Sequence, residues 1–265
     1  MLHVTGRRTD GYHELQTVFQ FLDFGDSLTF TLREDEQVRR VSEIGAVPAA
    51  QDLVVRAARL LQAQTGYRCG VDIAIEKRIP MGGGLGGGSS DAATTLVALN
   101  TLWKLGLGVD ALARLGLQLG ADVPVFVRGS AAWAEGVGDQ LQVIDLPEPW
   151  YLVISPDCSV STAAVFADPE LTRDTVPIKI ADFLSAGGRN DCEAVVRARY
   201  PAVAAALDWL DQYAVARLTG TGSSVFASFA DKRSAADLLA HLPPAWQGFV
   251  AKGCNRSALL DRLAG

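Results

Sequence analysis

A chain of 265 residues, 49% hydrophobic and 20% charged, is long enough to bury one sizeable core or two modest ones and has an ordinary globular composition. Its net charge of −6 excludes broad electrostatic attachment to nucleic acid or to a membrane surface, so an anionic ligand must be held by local donors. No apolar run reaches the length of a membrane span and no signal-peptide pattern is visible. Cys69, Cys158, Cys192 and Cys254 are scattered, with no C-x-x-C pair and no histidines at ligand spacing, which fits a reducing cytoplasm and argues against a bound transition metal.

Met1 to Val4 reads as the tail of a strand whose beginning lies upstream. The polar stretch that follows ends in Asp10-Gly11, a turn signal. Tyr12 and His13 then precede the mixed apolar run Leu15 to Leu22. They read either as a half-buried aromatic beside a surface histidine or as a pair that flanks a planar base. Leu28, Phe30 and Leu32 alternate and predict a strand. The stretch 35–50 is polar and irregular, a strand with loops. Asp52 caps a predicted helix to about Thr65, with Leu53, Ala57, Leu60 and Leu61 on one face and Gly66 as its stop.

Val71, Ile73 and Ile75 alternate as in a half-buried strand, and the chain then enters Pro80, Met81, Gly82, Gly83, Gly84, Leu85, Gly86, Gly87, Gly88, Ser89, Ser90 and Asp91. Good helix formers follow directly, through about Leu105. Ser89, Ser90 and Asp91 are N-cap types, so the helix is predicted to begin there. A strand, a glycine loop and a helix make a phosphate cradle: glycine permits close approach of the backbone, and the amides at a helix start favour an anion. A P-loop would need a lysine that this loop lacks. The dinucleotide pattern is met by Gly82, Gly84 and Gly87, but it wants an acidic residue at the end of a second strand about 20 residues on. Asp110 instead opens a helical stretch, Val109 to Leu119. A flexible linker would not lie between so strong a strand pattern and so strong a helix pattern.

Pro124 biases Val123 away from helix and leaves Asp122 at a helix end or turn, where an aspartate is ordinarily a cap or a solvated residue. Ser130 to Val137 reads as a strand running into Gly136-Val137-Gly138. Pro147-Glu148-Pro149-Trp150 sets a predicted boundary between domains 1–147 and 148–265. Tyr151 to Ile154 is a short buried strand, and Ser161 to Phe166 opens a helical stretch with Thr162 as a possible cap. Further helices are predicted from Asn190-Asp191-Cys192, from Pro201, over 231–242 and over 257–263, with Gly248 to Ala251 as a strand. Leu218 to Ser224 is a second glycine-rich turn, a hairpin or bulge, leading into Val225 to Phe229.

Pro80 to Ser90 resembles the ATP loop of the GHMP kinases, and Thr5–Thr17, Leu119–Phe126 and Leu218–Phe226 resemble the flanking blocks of that family in the same order. The resemblance implies an α+β, two-domain GHMP kinase fold, with an N-terminal part like domain 2 of ribosomal protein S5 and a ferredoxin-like C-terminal part. It implies ATP as phosphoryl donor with Mg²⁺, wrapped by Pro80 to Ser90, with Ser89, Ser90 and Asp91 as candidates for the metal's surroundings. It implies Asp122 as the base, and a small-molecule alcohol as acceptor. Likeness to members acting on a cytidine diphospho sugar alcohol implies Tyr12 and His13 at the cytosine, with Gly136 and Thr162 also against the substrate. Leu218 to Ser224 would support the phosphate loop. The protein is expected in the cytoplasm as a monomer or weak homodimer, with no nucleic-acid or membrane partner. The family carries an active-site lysine and asparagine upstream of the point where this sequence starts, so a truncated chain or a nucleotide-binding form impaired in catalysis stays open. So does another alcohol kinase of the family, such as a mevalonate-type enzyme, although the Tyr12-His13 block argues against it.

Overall fold

A computed structural model describes residues 1–45 and 47–263; Ala46, within the predicted strand-and-loop stretch, and the last two residues lie outside the described residues. The chain forms two compact units that interleave in sequence. One comprises Met1–Asp23, Gly82–Leu85 and Ala131–Arg256; the other comprises Phe24–Met81, Gly86–Ser130 and the chain from Ser257 onward. Helices and sheets are mixed in both, an α+β architecture. Among the described residues no helix is long and apolar enough to cross a membrane.

The second unit is built on a three-stranded sheet in the order Ser27–Leu32, Val71–Glu76, Val38–Arg40. The antiparallel register pairs Leu28 with Ile75, Phe30 with Ile73 and Leu32 with Val71, so the two alternating patterns fall on one face. Val71 and Ile73 are fully buried there, together with Val54, Ala57 and Leu61 of the helix Leu53–Thr65 and Leu96 and Leu99 of the helix Gly87–Leu102. Each valine, leucine and isoleucine among them contributes about 1.5–3 kcal/mol by leaving water, and Ala57 about 0.8 kcal/mol. The helix Leu53–Thr65 has the predicted ends: Asp52 accepts the Val54 N–H at 3.0 Å, and Gly66 closes it at φ 71° with its N–H on the Gln62 carbonyl.

Two helix boundaries in this unit differ from expectation. The glycine-loop helix starts at Gly87, not at Ser89 to Asp91, because Gly86 at φ 69° turns the chain into it without any side-chain cap. Asp122 lies at a helix end, as expected, but Val123, which Pro124 is expected to keep out of helix, opens the helix Val123–Arg128. Pro124 occupies its first turn, where a missing N–H leaves no hydrogen bond unmade, and Gly129 ends it at φ 65°.

The first unit contains two sheets. Leu2–Arg7, His13–Phe19, Ala132–Glu135 and Gln140–Val143 form an antiparallel four-stranded sheet, whose first hairpin turns at Asp10-Gly11. The predicted strand Ser130 to Val137 is thus shorter, and the chain leaves it at Gly136, φ 67°. The other sheet runs Arg217–Leu218, Val225–Phe229, Trp150–Pro156, Trp246–Cys254, Phe21–Leu22. Leu152, Ile154, Val225 and Ala227 are buried under the helices Cys192–Arg199, Pro201–Leu210 and Lys232–Leu239. Asp191 does not cap the helix it precedes. Its carboxylate takes the Val4 N–H at 2.8 Å and the Thr175 hydroxyl at 2.7 Å, anchoring the first strand.

Candidate functional site

In the glycine loop, Gly82, Gly84 and Gly86 all adopt left-handed φ of 69–72°, which a side chain would resist. The carbonyls of Gly83 and Gly84 are taken by the Ser224 N–H at 3.0 Å and the Thr219 hydroxyl at 2.8 Å. The second glycine-rich turn therefore braces the loop from its carbonyl side. At the helix start, the amides of Gly87, Gly88 and Ser89 meet no acceptor among the described residues. Three first-turn donors at the positive end of a 16-residue helix, with no side chain competing for them, have the chemistry to receive an anion on backbone alone.

Behind the loop stands a cluster that sequence reasoning missed. Lys77, where the strand leaves the sheet, donates to Asp91 at 2.8 Å and to Asp26. The other oxygen of Asp26 accepts the amides of Arg78 and Ile79 at 2.6 and 2.8 Å. Both carboxylates are buried, their side chains 1% and 8% exposed. Burial pushes the Asp91 carboxyl up to about 6, against the pull of Lys77. Burial also lowers the Lys77 ammonium, but the two carboxylates more than offset it and leave it above its ordinary value. The ammonium thus ties the chain entering the loop to the helix leaving it. We expect Asp26→Ala to cost about 1–3 kcal/mol in denaturant unfolding, because it leaves the Arg78 and Ile79 amides without their acceptor and the ammonium with Asp91 alone. An unchanged unfolding midpoint would show that the cluster adds nothing.

Asp122 precedes the helix Val123–Arg128 but caps nothing. Among the described residues its carboxylate has neither a hydrogen bond nor an ion pair. Solvent reaches it, yet the surrounding protein removes enough hydration to push the carboxyl above the ordinary range. A Cβ placed on neighbouring Gly120 would lie 3.9 Å from the Ser89 hydroxyl, so this turn sits beside the first turn of the loop helix.

The remaining predicted residues lie in the first unit. Tyr12 is 65% exposed at the tip of the first hairpin, its ring unpartnered among the described residues. His13 stacks on Phe166, centroids 5.1 Å apart and planes at 26°, and its Nε2 accepts the Nε–H of Arg173 at 3.1 Å. Burial, then Arg173 and Arg7, lower the pKa of the imidazole. The Gly136 carbonyl accepts the Leu15 N–H at 2.7 Å, which brings that glycine against the Tyr12-His13 hairpin. Thr162 is not a cap: Ser161 accepts the Ala164 amide instead, and the exposed Thr162 shares a 2.8 Å hydrogen bond with Thr221. Phe166 reads in the sequence only as part of a helical stretch, and Arg173 lies in no patterned one, so neither is marked there as a partner of His13.

The model for the GHMP kinases N terminal domain matches residues 52–130, and that for the GHMP kinases C terminal matches residues 170–246. The chain is 60% identical over 262 residues to the 4-diphosphocytidyl-2-C-methyl-D-erythritol kinase of Nitrosococcus oceani, covering 99% of this chain and 94% of the relative. Against the protein of the same name from Pseudomonas savastanoi pv. phaseolicola it is 59% identical, covering 99% and 91% of the two chains. The fold is similar to the crystal structure of a 4-(cytidine 5'-diphospho)-2C-methyl-D-erythritol kinase, with a TM-score of 0.81, 31% identity, and coverage of 95% of this chain and 94% of that one.

Proposed function

The chain belongs to the GHMP kinase family, and on that premise we propose that it transfers the γ-phosphoryl group of ATP to the 2-hydroxyl of 4-diphosphocytidyl-2-C-methyl-D-erythritol, in the non-mevalonate route to isoprenoid precursors. The observation that carries the mechanism is the uncommitted Asp122 carboxylate beside the first turn of the loop helix. Pro80 to Ser90 hold the triphosphate, with the free amides of Gly87, Gly88 and Ser89 on its oxygens. Asp122 takes the proton of the substrate hydroxyl as that oxygen bonds to the γ-phosphorus, and ADP leaves with the electrons of the broken bond. Phosphoryl transfer depends mostly on positioning and on neutralising charge, so a carboxylate with a modestly raised pKa is base enough.

Tyr12 offers an exposed ring face to the cytosine, and His13 its ring edge. On the same reading Gly136 and Thr162 contact the rest of the substrate. Mg²⁺ fits as the companion of the nucleotide: the Ser89 and Ser90 hydroxyls have no partner among the described residues, whereas Asp91 is committed to Lys77 and is not available to it. Bound there, the metal would offset triphosphate charge that backbone dipoles only partly balance.

The test is to assay ADP release from ATP with the cytidine-bearing alcohol and, separately, with mevalonate. Turnover of the first alone is the expected result. Turnover of mevalonate would make the protein a different alcohol kinase of the family. ATP binding without turnover of either would make it a nucleotide-binding protein.

A further inference from the structure

Arg173 places four N–H donors without meeting a carboxylate. Its Nη1 donates to the Leu171 carbonyl at 3.0 Å, and its Nη2 donates to the carbonyls of Phe166 and Asp168 at 2.8 and 2.7 Å. The Nε–H is left for His13 Nε2. A guanidinium keeps its protons and has no acceptor, so the nitrogen facing it must carry a lone pair. A neutral imidazole with its lone pair on Nε2 has its proton on Nδ1. Stacking on Phe166 fixes the plane of the ring, and the three carbonyls fix the guanidinium that reads it.

We propose that Arg173 is a positioning residue that locks His13 in the neutral form with its proton on Nδ1, making it a fixed donor that discriminates cytosine from uracil. The choice of pyrimidine rests on the function proposed above; the tautomer does not. Cytosine offers a lone pair at N3, where uracil carries N3–H. A histidine free to exchange tautomers could donate to the first or accept from the second. One held as a donor at Nδ1 keeps only the first option, which is specificity gained by removing an alternative. Protonating the ring would set an N–H against that of Arg173. Arg7, on the adjoining strand, opposes that charge as well. The remaining charged groups of the hairpin, Arg8, Asp10 and Glu14, are paired with one another.

The experiment is ¹⁵N NMR of histidine-labelled protein without nucleotide, with His13 assigned by loss of its signals in His13→Gln. We expect Nδ1 protonated and Nε2 unprotonated at neutral pH, with the ring charging only below the ordinary histidine value of about 6.5. In Arg173→Met the ring should exchange tautomers and take up its proton at a higher pH than in the parent, with burial and Arg7 still holding it below the ordinary value. The preference of the protein for CDP over UDP should fall by about tenfold, the scale of one polar contact. Arg173→Lys, which keeps the charge without the planar fork, should restore the raised resistance to protonation but not the full preference. Proton on Nε2 or an imidazolium in the wild type would overturn the proposal, and that spectrum decides alone if Arg173→Met does not fold. An unchanged tautomer in a folded Arg173→Met would overturn it too. The expected tautomer with His13 signals unmoved by either nucleotide would overturn the specificity role and count against the cytidine reading, while leaving the Arg173 contact intact.

Discussion

Asp122→Asn should lower turnover by about 10²-fold or more, the usual size of a general-base effect, with the affinity for ATP nearly unchanged. Asparagine preserves the shape but cannot take the substrate proton. An aspartate before a helix is commonly a structural cap, and losing a cap costs about 1 kcal/mol. Here the carboxylate accepts no amide of the helix that follows, so the substitution removes no such bond. Nor does it break an ion pair. The charge is instead disfavoured by the hydration that the surrounding protein removes from a side chain still open to solvent, so the neutral variant should be about as stable as the parent. A large loss of rate at unchanged stability is the signature of a chemical role. The pH dependence follows from the same shift. A base works unprotonated, so activity is present above the pKa of the carboxyl and is lost as pH falls through it. Because that pKa is raised, the acid limb of kcat/KM should lie above the ordinary carboxylate value of about 3.9. Near-normal turnover of Asp122→Asn would remove the aspartate from the mechanism.

What was legible beforehand was local. Val71, Ile73 and Ile75 carry the period of a strand, and the partner strand with Leu28, Phe30 and Leu32 carries the same one, so their common face could be foreseen. Asp52 and Gly66 mark the ends of a helix by chemistry that acts within a turn. The start of the loop helix was misread for an instructive reason. Serine and aspartate are favoured caps because they satisfy free amides, and at an anion site those amides are wanted unsatisfied. Gly86 turns the chain by left-handed φ alone and keeps them so. Pro124 signals a break to a reader of pattern, but a proline in the first turn begins a helix as readily as it ends one. The buried ion cluster joins Lys77 to a carboxylate 51 positions away, and the guanidinium on His13 is 160 positions from it. No local period encodes such pairings. They follow from the packing that the local signals only begin.

Gly84→Val should weaken ATP binding by about 10- to 100-fold, that is about 1.4–2.8 kcal/mol, and Gly84→Ala by somewhat less. The reason is twofold and particular to this glycine. Its φ of 71° costs any other residue about 1–2 kcal/mol. A Cβ there would also lie 2.5 Å from the Thr219 carbonyl oxygen and 2.9 Å from that of Gly222, and backbone cannot swing aside as a side chain can. The loop would have to lift away from the turn that braces it, taking its amides with it. Two neighbours separate these causes. At Gly82 the φ is 72° but nothing lies within 4 Å of a Cβ, so Gly82→Ala bears the conformational cost alone. At Gly87 the φ is ordinary and the nearest atom, 3.0 Å away, belongs to the Ile79 side chain, which can give. Calorimetric titration of ATP into the three alanine variants should therefore rank Gly84 as the most damaged. Affinity for a cytidine nucleotide, measured on the same samples, should hold and so report an intact fold. If Gly84→Ala binds ATP as the parent does, the triphosphate is not held by this loop, and the amides at the start of its helix serve some other anion.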